Sequence, residues 1–141
     1  MSLRFRNVSL VLLSVGFVSS LLLAQTRPGV QSADAHLNQQ KIETARKALE
    51  AVEQLTAHDP MMGTDEACLW SSRLMQAQLD AAETSAARVT SIEEHIARMR
   101  TYERRATQLY AAGAVNQLQV LNVEYGRLEA EQSLVRELGR R

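Results

Sequence analysis

Between Gly63 and Gly113 the chain runs for 49 residues with neither glycine nor proline. Alanine, leucine, glutamate, arginine and glutamine dominate the stretch, and as strong helix formers they predict one continuous helix over 64–112. At 1.5 Å per residue it would extend about 70 Å, longer than any helix a compact domain of this size can enclose. A chain of 141 residues built around such a rod has no room for a second domain. Aromatic residues make up only 4% of it, and Phe5 and Phe17 both precede the rod, so the core must be built from aliphatic and small side chains.

Two shorter helices flank the long one. From Asp34 to His58 the apolar positions Leu37, Ile42, Ala45, Leu49, Val52 and Leu55 recur mostly at three and four, the period of an amphipathic helix, so 28–33 reads as a linker and 34–58 as helix. Asp34 is the expected cap at its start. Pro60 stops it, since proline lacks an amide and pushes Asp59 out of helical conformation. Residues 59–63 then form a turn, and Thr64 is the expected N-cap of the long helix, with Asp65 and Glu66 placing negative charge against its dipole. At the far end, Gly113 can take the left-handed conformation that ends a helix, Asn116 and Gln119 have capping-box spacing, and Val115 and Val120 form a staple for a third helix over 116–138.

A connection of only Gly113, Ala114 and Val115 forces the third helix back along the second. The expected fold class is therefore all-α without β-structure: a signal or anchor helix, then a long antiparallel helical hairpin of three helices forming a coiled-coil-like rod. Leu118, Leu121, Tyr125, Leu128 and Val135 are expected to face a seam of Val89, Ile92, Ile96, Met99, Ala106 and Leu109. The first and third helices would lie end to end along the central one, Leu37 to Leu55 covering its first half and Leu118 to Leu138 its second; the alternative is a compact three-helix bundle, which requires the central helix to bend near Arg88 to Ser91, where the β-branched Val89 and Thr90 are weak breakers.

The run Tyr110-Ala111-Ala112-Gly113-Ala114-Val115-Asn116-Gln117-Leu118-Gln119-Val120-Leu121-Asn122, continued by Leu128-Glu129-Ala130, resembles the periplasmic hairpin tips of TolC-like outer-membrane efflux proteins. The likeness covers about residues 110–130. Gln119 and Asn122 stand where that family often has aspartate, and Val123-Glu124 where it has alanine and glutamine. The resemblance implies that Tyr110, Ala112, Gly113, Ala114, Val115, Asn116 and Gln117 form a partner-binding tip that meets another envelope protein in an efflux assembly. With one tip and no alternating strands for a barrel, the chain is not such a channel by itself.

The N-terminal residues point to export. Arg4 and Arg6 precede an apolar stretch from Val8 to Ala24, and polar residues follow from Gln25. Its 17 residues would span about 26 Å as a helix, at the short limit for crossing a bilayer core. Residues 1–27 thus act either as a cleaved signal peptide or as an uncleaved anchor, with everything after Arg27 outside the inner membrane, in the periplasm or envelope. Membrane contact is expected only through that segment. The single Cys68 excludes an internal disulfide.

No catalytic residues are expected, since a rod offers no pocket and the chain lacks a phosphate-binding glycine loop, GxSxG, HExxH and CxxC. No cofactor is implied. In Glu93-Glu94-His95 the second histidine of a metal helix is missing, and His95 reads as surface. His36 could approach His95 if their helices pair antiparallel. The softer grouping of His58, Met61, Met62 and Cys68 at the first turn offers imidazole, thioether and thiol, suited to monovalent copper, so a metal-binding or metal-sensing hairpin is the alternative function. Met61 and Met62 also read as filler at the end of the apolar seam. Formal net charge is zero, and Arg98, Arg100, Arg104 and Arg105 lack interleaved rings apart from Tyr102, so nucleic acid is not an expected partner. The expected partners are an envelope protein or a second copy of the chain.

Overall fold

A computed structural model describes residues 28–59 and 63–140, with side chains from Ser32 onward, so Met61, Met62 and the apolar stretch Val8 to Ala24 lie outside the described residues. Among the described residues the structure is all-helical: α1 (Pro28–His58), α2 (Thr64–Ala81), α3 (Ser85–Ala111) and α4 (Gln117–Leu138). None of these helices is long and apolar enough to cross a membrane.

The expected continuous helix over 64–112 is broken at residues 82–84. Ala82 and Thr84 are extended, and the Thr84 side chain accepts from the Ala87 amide at 3.1 Å to cap α3. The freed carbonyl end of α2 is satisfied by the Ala82 amide and by Arg88, whose Nη1 donates to Leu79 O at 3.1 Å. A few helical hydrogen bonds are thus exchanged for others, while α2 doubles back and buries Ala67, Ser71 and Leu74 beside α3. Burial of a whole helix face outweighs the uniform propensity of the stretch.

The described residues therefore form four helices in an up-down succession rather than a three-helix rod. Each helix packs antiparallel on its predecessor, α2 also touches α4, and Tyr102 and Arg105 of α3 reach α1 with their side chains. One core cluster draws on all four helices: Ala45 and Leu49, Ala67 and Leu74, Met99, Tyr102 and Ala106, and Val123. A second joins Ile92 and Ile96 to Ala130, with Met75, Leu79 and Leu134 packed against it.

Other boundaries shift for local reasons. The expected linker 28–33 belongs to α1, because Pro28 has no amide hydrogen to leave unpaired in a first turn, and Asp34 lies inside the helix rather than at its cap. Gly63 at φ 87° is the N-cap of α2, not Thr64, which is buried as the first helical residue. Leu37 and Leu55 stay exposed, and α1 packs instead through Ile42, Ala45, Leu49 and Val52.

Helix α4 shows the largest rotation from expectation. Its core face is Val123, Ala130 and Glu137, while Leu118, Leu121, Tyr125, Leu128 and Val135 point away from α3 into solvent. Close approach explains the choice: a Cβ at Gly126 would lie 2.9 Å from Met99 Cε, so only a face of glycine and small residues lets α4 come this near to α3. Ion pairs fix the register. Arg127 spans to Glu103 at 2.6 Å and holds Glu131 at 3.0 Å, and Arg100 reaches Glu131 at 3.0 Å.

Candidate functional site

Polar chemistry or accessible apolar surface is concentrated in the turn at Gly113, the outward face of α4 and a buried polar seam between α2 and α3.

The Gly113 turn is closed by hydrogen bonds on both sides. Gly113 has φ 72°, its amide donates to Tyr110 O at 2.9 Å, and the Ala114 amide donates to Leu109 O at 2.9 Å, the paired bonds of a Schellman motif. Three residues on, the Asn116 side chain accepts from the Gln119 amide at 3.1 Å while Gln119 Oε1 accepts from the Asn116 amide at 3.3 Å. This capping box starts α4. Tyr110, Ala112, Gly113, Asn116 and Gln117 are exposed and Ala114 and Val115 half-buried. These seven residues are the end of α3, its connection to α4 and the first residue of α4. A Cβ at Gly113 would meet nothing within 4 Å, so the cost of any side chain there is backbone strain alone. Gly113→Val should lower the unfolding free energy by about 1–2 kcal/mol, measured by urea denaturation, with the helical content of the native state unchanged.

The buried seam departs from the sequence expectation. Ser71 is fully buried and His95 is 3% exposed, so His95 is a core residue and not a surface one. Ser71 Oγ lies 2.8 Å from His95 Nδ1 and accepts from Arg98 Nε at 2.8 Å. The serine proton can then donate to Nδ1, which suits a neutral imidazole. Burial, then the charge of Arg98, lowers the His95 pKa to about 4. A hydroxyl beside an imidazole is the pairing of nucleophile and base; here Ser71 is fully buried, His95 borders a groove of about 460 Å³ with Leu69, Met75 and Ala130 while only 3% exposed, and the bond between them joins α2 to α3. Nearby, Tyr102 Oη donates to Glu53 Oε1 at 2.6 Å and Arg105 donates to Thr56 O, tying α3 to α1. Burial and then Glu53 push the Tyr102 phenol up. The sequence signal for the seam is the pair of polar residues Ser71 and His95 on otherwise apolar helix faces.

Of the candidate metal ligands, Met61 and Met62 lie outside the described residues, and the histidines and Cys68 are placed as follows. His58 is exposed at the end of α1. Cys68 is half-buried beside the core, its thiol pushed up to about 12 by burial and by Asp65, so it is protonated rather than a thiolate at neutral pH. His36 bonds to Gln40 on its own helix, and the near partners of His95 are Ser71 and Arg98. Among the described residues no three His, Cys, Asp or Glu side chains converge as a metal site would need.

The arginines of α3 are occupied within the fold. Arg98 binds Ser71, Arg100 binds Glu131, Arg104 binds Thr101 and Arg105 binds Thr56. Trp70 is half-buried along a groove of about 700 Å³ between α1 and α2, with the Arg73 guanidinium 4.5 Å from its ring centre.

Comparison with protein-family models, with curated proteins and with solved structures finds no match to this chain.

Proposed function

We propose that this chain is an exported, non-catalytic helical scaffold of the cell envelope that docks on a protein partner through the turn at Gly113, in the manner of the hairpin tips of TolC-like efflux assemblies. The observation that carries the reading is the construction of the tip. Its backbone is closed by a Schellman motif on one side and a capping box on the other, so little conformational freedom is lost on docking. Its exposed residues are small or weakly polar, with open space around Gly113 and Tyr110 standing half-exposed at the rim. Such a surface suits close approach by a complementary helical groove, and an exposed tyrosine suits an interface anchor.

Export rests on Arg4, Arg6 and the apolar stretch from Val8 to Ala24. That stretch is the only membrane contact in this reading, made if it is not removed. A neutral net charge and the internal engagement of the α3 arginines favour protein over nucleic acid as the partner.

Site-specific photo-crosslinking in cells tests the reading. A photoreactive residue in place of Ala112 in the full chain should give one discrete adduct containing a second, different protein. The same residue in place of Lys47, exposed on α1, should not give it. No adduct at either position, or the same adduct at both, would contradict docking through the tip.

A further inference from the structure

The outward face of α4 carries a regular row of large apolar side chains that the described fold leaves about half to two-thirds exposed. Leu118, Leu121, Tyr125, Leu128 and Val135 are 63%, 48%, 64%, 49% and 69% exposed, and Leu138 stands near the end of the row at 46%. With Gln132 between Leu128 and Val135, the spacing is three, four, three, four, three: the a and d positions of successive heptads. The same helix buries Val123, Ala130 and Glu137, each seven residues from the next, on its opposite side. Thus α4 satisfies the core with one stripe and displays a coiled-coil seam with the other.

We propose that this seam is a dimer interface, covered by α4 of a second copy of the chain running parallel to it. A heptad seam is self-complementary, as a twofold contact requires, because each side chain of the row fits between those of an identical row. The exposed row offers on the order of 600 Å² of apolar surface per chain, which on pairing reaches the lower range of stable, specific interfaces at about 1,200 Å² in total. As an isolated patch on a monomer it would be at the upper end of what is usual.

Gln132 sets the direction. It is the one polar residue in the row, and a parallel pairing sets the two Gln132 amides opposite each other, where each can donate to the other. An antiparallel pairing buries each against Leu121 of the second copy with no such partner. The exposed bond between Arg136 and Gln132 within one helix leaves the amide nitrogen of Gln132 available for this exchange. On the flanks, the parallel order brings Glu131 to Arg136 of the second copy, and Glu124 to Glu129 of the second copy. Glu131 already accepts from Arg100 and Arg127 of its own chain, so the first pair adds little, while the second opposes the dimer, which makes Glu129 a handle for testing direction. A parallel dimer also places two Gly113 tips side by side at one end. It forms whether or not a tip partner exists.

The test uses the full chain in a non-ionic detergent, with sedimentation giving its mass and non-reducing electrophoresis its contacts. The wild-type chain should be a dimer at micromolar concentration, and Leu121→Glu with Leu128→Glu should weaken self-association by at least about 100-fold while leaving the helical spectrum intact. In a Cys68→Ala background, Gln132→Cys alone should form a disulfide dimer, and Glu129→Lys should tighten the wild-type dimer by about 10-fold. A wild-type monomer, or a dimer unmoved by the two glutamates, overturns the interface. Disulfide formation only when Leu121→Cys and Gln132→Cys are combined overturns the parallel direction.

Discussion

Truncation of Met99 to alanine should lower the unfolding free energy by about 3 kcal/mol, the middle of the range for deleting a large buried aliphatic side chain. Met99 is 1% exposed and is the largest fully buried side chain among the described residues. It belongs to the core cluster that draws on all four helices, and its methyl end lies against the bare backbone of Gly126. The cavity left by alanine can close only if α4 moves towards α3. That motion is resisted by Arg127 and Arg100, which hold the two helices in register through Glu103 and Glu131. Urea denaturation followed by circular dichroism at fixed protein concentration measures the effect. Leu55→Ala, at a side chain 62% exposed on α1, is the matched control and should change stability by less than about 0.5 kcal/mol. Equal effects at the two positions would mean that Met99 is not in a core.

Acidification gives the second large effect. His95 has a folded-state pKa of about 4 against an ordinary value of 6.5, caused first by burial and then by the adjacent Arg98 charge. Between these values the unfolded chain takes up a proton that the folded chain refuses. The stabilisation is therefore complete above about pH 7 and is lost as the pH falls through 6.5 towards 4, amounting to about 3 kcal/mol. Protonation would also end acceptance by Nδ1 from Ser71 and set two positive charges side by side in the seam. Glu131 and Glu137 add to the acid loss at lower pH, since arginine hydrogen bonds, led by Arg100 and Arg88 respectively, hold their carboxyls below the ordinary range. The interval from about pH 5 to 6.5 isolates the imidazole. Stability of the wild-type chain should fall across that interval, and His95→Gln should remove most of the slope. An unchanged slope in the variant would show that His95 is not the group responsible.

What the sequence makes legible is local. The Gly113 turn needs a residue that tolerates positive φ and a cap three residues later, and Gly113, Asn116 and Gln119 announce both within seven positions. The break at residues 82–84 has only one local sign, the hydroxyl of Thr84, set among alanine and glutamate that favour helix. Its other support, Arg88 reaching back to Leu79 O, exists only once α2 has already turned. His95 reads as surface for the same reason: its partner Ser71 stands 24 residues earlier and arrives only through that break.

Side-chain size misleads on the face of α4. Two stripes of seven-residue period compete on that helix, and hydrophobic patterning alone places the stripe of larger side chains inside. The fold buries the smaller one because Gly126 and Ala130 permit closer packing on Met99 and Ile96. The Ala-rich surface of α2 is equally ambiguous, since small side chains bury little area whichever way they face.

Everything from the buried seam to the orientation of α4 depends on α2 folding back on α3, and a spin-label distance between Glu66 and Arg104 tests that directly. Both positions are exposed, and their neighbours Ala67, Tyr102 and Ala106 share one core cluster. With Cys68 replaced by alanine and the labelled protein diluted in unlabelled chain, the fold predicts a distance of about 20–30 Å, that of labels on adjacent packed helices. A distance near 57 Å, roughly that of 38 residues along one unbroken helix, would contradict it.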